Sequence, residues 1–331
     1  MNVDLIIRIS AFVGIFAVMA LWEMLAPRRQ WQMAKGKRWV INLGMVGFNS
    51  FFTRAIFVSG PFGAAILAEQ REVGLLQQIN GPWWAKVMIA VVLLDLVVYV
   101  QHVLMHAVPL LWRLHMVHHS DMDFDVTTGV RFHPIEIALS MVIKIGAVIL
   151  IGASPIAVLI FEVLLNATSM FNHSNVSIPT NVDRVLRWIV VTPDMHRIHH
   201  SIIPRETNRN FGFNLPWWDR VLGTYLKDPS KGHEHMTIGL EQYRDPARLT
   251  WLKLVVLPFV GEIGKYPTWH DELNDAARQG HDRDQRPLFL FLQSRDVEFS
   301  RHVHGAENSP GDRDHHQSQF QFGQKPVGRD R

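Results

Sequence analysis

The chain contains no cysteine. That absence excludes disulfides, thiolate metal sites, iron–sulfur clusters and cysteine nucleophiles together, so a transition metal must be held by His, Asp or Glu. Charge is also scarce: Asp, Glu, Lys and Arg make up 19% of the 331 residues, against 48% hydrophobic ones. Tyrosine is thin at 4, beside 11 Trp and 19 Phe, a balance that suits a chain in contact with lipid. The net charge of +3 is a mild basic excess. It fits an anionic membrane surface, and with no basic run interleaved with aromatics it argues against nucleic acid. No Gly-x-Gly-x-x-Gly dinucleotide site is present, and neither is the His-Glu-x-x-His signature of zinc hydrolases.

What the chain does have is long apolar runs. Residues 4–22 form one, interrupted by Arg8 near its start, where the side chain can snorkel to the interface. No small-x-small cleavage site follows, so a retained membrane helix is expected rather than a signal peptide. Residues 39–68 are apolar apart from Arg54, with a break at Gly60-Pro61, and residues 83–108 open with paired Trp as an interfacial anchor. Residues 137–171 are broken at Gly152-Ala153-Ser154-Pro155 and predict a hairpin, since one span takes about 20 residues. Residues 182–191 and 247–260 have the amphipathic character of segments lying along an interface. Beyond about 270 the chain turns to Asp, Arg, Gln, Gly and His without periodicity and reads as a disordered tail.

The expected fold is all-α, an integral membrane bundle of roughly four or five membrane helices with a helical cap. Its divisions are N-terminal membrane helices (1–82), a catalytic domain (83–227), an interfacial segment (228–270) and the tail (271–331). Loop 23–38 carries Arg28, Arg29, Lys35, Lys37 and Arg38, whereas loop 69–82 carries only Arg71. The positive-inside rule puts the first loop, and with it everything that emerges after about His102, on the cytoplasmic face of the membrane (the cell inner membrane in a bacterium).

The histidines are patterned. Ten of the 18 fall between positions 102 and 200. His102 and His106 are spaced i, i+4. His115, His118 and His119 occur as HMVHH, and His196, His199 and His200 repeat that spacing as HRIHH, while His133 and His173 stand alone. Residues three and four apart share a helix face, so each box is expected to deliver its imidazoles to one point. Left without metal, so many packed imidazoles would strand nitrogens at about 1–3 kcal/mol each. Eight or nine nitrogens exceed one coordination sphere and predict two metal ions. A hydrolytic zinc needs only three protein ligands and a water, so a nitrogen-rich pair of sites at a lipid surface better suits iron in oxygen chemistry. The histidines at 233, 235, 270, 281, 302, 304, 315 and 316 lack such spacing and are read as ordinary satisfied or solvated histidines without a ligand role.

The order of these elements resembles the fatty-acid hydroxylase and sterol desaturase superfamily. The matching residues are Asp95, Tyr99, His102 and His106; His115, His118 and His119; Arg131, His133 and Glu136; Asn172 and His173; Thr192, Pro193, His196, His199 and His200; and Asn210 to Tyr225 with its WWDR and GTY. The resemblance spans roughly residues 83–227. It implies a di-iron centre, O2 as co-substrate, an external electron-transfer partner or reductant, and a lipid substrate that is hydroxylated or desaturated. It maps metal ligation onto His102, His106, His115, His118, His119, His196, His199 and His200, with His173 at a further ligand position. His133 is expected to support the ligands from outside their coordination sphere. Asp95, two turns before His102, is expected to accept a hydrogen bond from a ligand imidazole, and Asp219–Arg220 to form a local pair with Trp217 and Trp218 at the interface. The helix faces at 97–104 and 159–170 are expected to wall a lipid path, which Trp in place of Leu104 or Met170 would narrow. A membrane zinc hydrolase, a metal transporter and a non-catalytic lipid-binding relative are the competing classes.

Overall fold

The structure, a computed structural model, describes residues 3–264; the tail expected at 271–331 lies outside them. The described residues form helices and no β-strand. Five helical segments are long and apolar enough to cross a membrane: α1 (Val3–Leu25), α2 (Lys35–Ile56) with its continuation α3 (Gly60–Gln70), α4 (Trp83–Ala107), and, after the short α5 (Pro109–His119), α6 (Pro134–Ile151) and α7 (Pro155–Asn172). The cap consists of α5 and the short helices α8 (Thr180–Leu186), α9 (Pro193–His199), α10 (Pro204–Thr207), α11 (Trp217–Val221), α12 (Gly232–His235) and α13 (Trp251–Val260). The protein is multi-pass. Its long helices leave Val3, Val40, Phe51, Met88 and Leu150 more than half exposed, as a lipid-facing surface requires.

Local sequence explains the breaks. The expected break at Gly60-Pro61 separates α2 from α3. The 137–171 run is two helices because Gly152 takes a left-handed φ of 70° at the end of α6, after which Ser154 and Pro155 start α7. Gly152 also abuts Gly74, so a side chain at either would force the hairpin away from the 71–78 loop. Val108 is extended, as the residue before a proline tends to be, so the chain turns immediately after His106 and α5 doubles back.

On α4 the buried face repeats every three or four residues: Val87, Ala90, Leu94, Asp95, Val98, Tyr99, His102, Val103 and His106. α7 packs on α1, α3 and α4, and α6 on α2, α3 and α4. The C-terminal ends of α1, α4 and α7 and the N-terminal ends of α2 and α6 therefore gather at one end of the bundle. There Glu23 accepts the backbone N–H groups of Val126 (2.7 Å) and Asn175 (2.8 Å), tying α1 to two loops distant in sequence.

A buried polar network fixes the cap to the bundle. Arg38 on α2 donates to both oxygens of Asp121 (2.8 Å each) and to Asp125 (2.8 Å). Arg131 donates to the Val117 carbonyl, to Asn42 and to Ser120, closing the loop that follows α5. Arg38, counted above as one of the positive charges of an exposed loop, is in fact 3% exposed. Breaking a buried pair from one side strands the other charge, typically at about 3–5 kcal/mol. Arg38→Leu is therefore expected to lower stability by about that amount. The readout is the thermal unfolding midpoint of detergent-solubilised protein, and an unchanged midpoint would show that the pair is not anchoring the cap.

Candidate metal centre

Nine histidines meet at the bundle end. His102, His106, His115, His119 and His199 bring ligand nitrogens within 4.8 Å of one another, and His118, His173, His196 and His200 do the same in a second group. All nine are buried. The structure thus brings together every histidine singled out as a ligand, but not box by box. In α5 the i, i+4 pair His115 and His119 belongs to the first group and His118 to the second. In α9 the assignment is reversed: His196 and His200 join the second group and His199 the first. Each HxxHH is therefore shared between two centres, and the expectation that a box converges on one point is corrected. At about 100° per residue, the i and i+4 histidines lie about 40° apart around the helix, while the i+3 histidine lies about 60° and 100° from them on the other side, so it can aim at a different centre.

Local sequence places these helices. Thr192 caps α9 by accepting the Met195 N–H, and Pro193 follows at the first helical position. Gly129 lies under the second group: a Cβ there would stand 2.7 Å from the Ser169 carbonyl and 3.1 Å from Nδ1 of His173. A glycine is required for this approach.

The hydrogen bonds decide the tautomers. Nδ1 of His102 faces the Phe211 carbonyl at 2.7 Å, His118 the Arg131 carbonyl at 3.2 Å, His173 the Ser169 carbonyl at 2.8 Å and His199 the Arg209 carbonyl at 2.9 Å. Nδ1 of His115 faces a Glu136 oxygen at 2.6 Å. Carbonyl and carboxylate oxygens only accept, so each Nδ1 carries a proton, and a ring in its neutral form then presents a bare lone pair at Nε2. In the second group Nε2 of His173 lies 3.2 Å from Nε2 of His118 and 3.1 Å from Nε2 of His196. For His118 and His173 this sets lone pair against lone pair, which is repulsive unless a cation lies among them. In the first group Nε2 of His102, His115 and His199 is buried with no hydrogen-bond partner. Burial, reinforced by neighbouring imidazoles, holds His118, His119, His196, His199 and His200 well below the ordinary histidine range, and burial takes His173 down to about 3. The rings are thus kept in the neutral form that binds metal. Buried donors, fixed tautomers and converging lone pairs fit metal ions, and each group can hold one.

Two supporting residues fall elsewhere than the sequence suggested. Asp95 does not touch an imidazole. It accepts Trp218 Nε1 at 2.8 Å and the backbone N–H groups of Asn214 and Leu215 at 3.3 Å, so it holds the 209–215 loop whose carbonyls orient His102 and His199. His133 is turned away from both groups: its Nε2 faces the Val255 carbonyl at 3.0 Å and its Nδ1 caps α6. The residue missed by sequence reasoning is Glu136, three positions on in the same motif. Its signal was available, because a carboxylate within reach of a metal-binding imidazole is the usual orienting partner.

The closing segment repeats this logic. Asp219 accepts the backbone N–H groups of Phe211 (2.8 Å) and Gly212 (2.9 Å) and the Thr224 hydroxyl (2.7 Å), and Thr224 meets the Tyr99 hydroxyl at 2.7 Å. Burial pushes the Asp219 carboxyl up to about 6. The expected Asp219–Arg220 pair does not form; Arg220 stacks on Trp188 and Tyr225, and Trp218 is half-buried against Asp95.

A cavity of about 550 Å³ opens onto the first group, reaching His102 and His115 between α1, α2, α4, α6 and α7. The helix faces expected to wall it are partly revised. Val98, Gln101, Leu165 and Ser169 line it, whereas Leu104 faces outward and Met170 is buried against Met19 and Val126.

These features define a multi-pass helical membrane protein with two histidine cages, each able to hold a metal ion, beside an intramembrane cavity. Residues 87–224 match the fatty acid hydroxylase family. It is 29% identical over 225 residues to the ornithine lipid hydroxylase OlsE of Rhizobium tropici, covering 66% of this chain and 66% of that protein. Similarity to human alkylglycerol monooxygenase is 29% over 154 residues, covering 46% of this chain and 33% of the relative. For human cholesterol 25-hydroxylase it is 29% over 143 residues, 42% of this chain and 50% of the relative. The chain thus spans just under two thirds of the first relative and a third to a half of the other two. These relatives are lipid hydroxylases and monooxygenases. No solved structure matches the chain.

Glu136 and His133 give a matched pair of tests. Glu136→Ala frees the His115 ring and is expected to weaken metal binding about 10–100-fold. His133→Ala should leave it unchanged. Metal content measured against buffered free metal decides, and equal losses from both variants would refute the assignment of the orienting role to Glu136.

Proposed function

We propose that the protein is an O2-dependent lipid hydroxylase that uses two iron ions held by His102, His106, His115, His119 and His199 on one side and His118, His173, His196 and His200 on the other. The observation that carries this reading is the set of protonated Nδ1 atoms bonded outward, which leaves Nε2 lone pairs facing inward in two groups. Nine imidazoles exceed what a hydrolytic zinc requires and suit iron. Iron, when bound, supplies the redox chemistry by which one oxygen atom of O2 enters a C–H bond while the other leaves as water with two electrons and two protons. Those electrons come from an external donor, because the chain carries no dinucleotide-binding signature of its own. Hydroxylation is favoured over desaturation by the activities in the relatives' names.

The chain's own residues do the rest. Glu136 and the carbonyls of Arg131, Ser169, Arg209 and Phe211 fix ring orientation. Phe132 stacks on His118 at 4.5 Å, and Phe211 and Phe213 lie against His102 at 5.5 and 5.2 Å, walls that exclude water from a reactive site. The cavity between the membrane helices admits a lipid sideways, with its remaining length still in hydrocarbon.

Protein purified after iron-replete growth is expected to hold about two iron ions per chain, from a ligand count that exceeds one sphere. His118→Ala and His199→Ala should each lower iron content and abolish lipid hydroxylation, while His235→Ala should do neither. One zinc per chain and no iron would refute the proposal.

The loop carrying Arg28 and Arg29 bonds directly to the cap, through Asn175 and Met236. The cap therefore shares the side of that positive loop, which supports a cytoplasmic centre. In this cysteine-free chain a cysteine placed at the exposed Lys227 should resist an impermeant thiol reagent in intact cells, whereas one at the exposed Asn80 should react. The reverse pattern would invert the topology.

A further inference from the structure

We propose that the end of the cavity remote from the histidines recognises the anionic group, a carboxylate or a phosphate monoester, of a lipid that carries it on an extended acyl chain. This deepens the lipid-hydroxylase reading and rests on it. Three charged residues from three membrane helices line that end: Arg8 of α1, Lys144 of α6 and Glu162 of α7. An ionisable side chain inside a membrane span is costly, and a cluster of them facing a cavity marks a ligand path. Arg8 was expected to snorkel to the interface. Instead its Nη1 meets Glu162 at 2.5 Å and its guanidinium lies 5.3 Å from the Phe62 ring. Its Nε and Nη2 are buried without a hydrogen bond, Asp4 standing 4.0 Å from Nη2 one turn back and outside the cavity lining. Lys144 interacts electrostatically with both Arg8 and Glu162 and lines the same space.

The charges do not balance within that space. Two cations and one carboxylate line the remote end, and the cavity's other carboxylate, Glu136, is committed to His115 at the histidine end. A helix-pinning ion pair would need only Arg8 and Glu162. Lys144 adds a second cation with no carboxylate of its own, and one bound anion would complete the set. Between the two ends the lining carries no charge: apolar Phe12, Val98, Met141 and Leu165 stand beside the uncharged polar Gln101, Ser140 and Asn166. Lys144 is eight residues beyond Glu136 on α6, and Glu162 is seven before Ser169 on α7. At about 1.5 Å per residue both helices put the charged end roughly 10–12 Å from the histidines. That separation suits an extended chain anchored at its anionic group, with a carbon well along the chain brought to the metals.

The test is displacement of a fluorescent fatty acid from the full-length, iron-loaded protein in non-ionic detergent. Competitors are palmitate, hexadecyl phosphate, hexadecanol, and the chainless anions acetate and inorganic phosphate. Palmitate or hexadecyl phosphate should compete roughly tenfold or more better than hexadecanol, as a charge met in a low-dielectric site allows, and the difference between the two names the anion. Acetate and phosphate should not compete. Lys144→Met should abolish the advantage of the acid over the alcohol while leaving hexadecanol affinity and iron content as in the wild type. Equal competition by palmitate, hexadecyl phosphate and hexadecanol against the wild type, or an acid preference that survives Lys144→Met, would overturn the anion site while leaving the lipid reading intact. Displacement by acetate or inorganic phosphate would replace the lipid anchor with a soluble-anion site. Failure of palmitate and hexadecanol alike would reject the lipid reading together with the subsite.

Discussion

Everything at the bundle end depends on one electrostatic constraint: neutral imidazoles held with their lone pairs turned toward one another. Such an array repels itself. It persists in a folded chain only if enough rings are locked from behind, as five of the nine are, and a positive charge is accepted in front. The locks are the Nδ1–H bonds to Glu136 and to the carbonyls of Arg131, Ser169, Arg209 and Phe211. Much of the remaining structure holds those acceptors still. Arg131 is fixed through Asn42 and Ser120, and the Phe211 segment through Asp219, Thr224 and Asp95.

The charged residues of the bundle and its cap divide accordingly. Arg38, Asp121 and Asp125 are spent within the protein, each meeting a partner and joining the cap to α2. Arg8, Lys144 and Glu162 instead face a cavity. Hydrophobic burial organises the helices around both sets, as in the stripe of α4 from Val87 to His106. Apolar residues build the bundle, and polar ones decide where its chemistry can occur.

Much of this was legible in the sequence because its signals are periodic. The apolar runs gave the membrane helices, and Gly152 with Pro155 gave the hairpin, since a left-handed turn and a fixed φ leave the chain few alternatives. The histidine spacings named eight of the nine residues that meet, and the family resemblance supplied His173. The division between the two centres was not legible, because i, i+3 and i+4 spacing states that side chains share a face but not which neighbour that face meets. Asp95 and His133 were misplaced for a related reason: one-dimensional proximity to a ligand does not determine contact. Asp95 reaches a loop more than a hundred positions away, while Glu136, a less conspicuous residue, holds His115. Arg38 and Arg8 read as surface charges because no spacing rule anticipates partners 83 or more residues distant.

The crossed sharing of the two HxxHH boxes has a consequence for how such a site can change over evolutionary time. α5 and α9 each contribute to both centres, so tilting or sliding either helix disturbs both together. A descendant could not shed one histidine cage and keep the other intact by loosening a single helix. The pair of cages behaves as one heritable unit, and drift away from the paired arrangement would have to pass through forms in which neither cage is well made. That is a steep barrier, raised not by any one ligand but by the weave of two short helices.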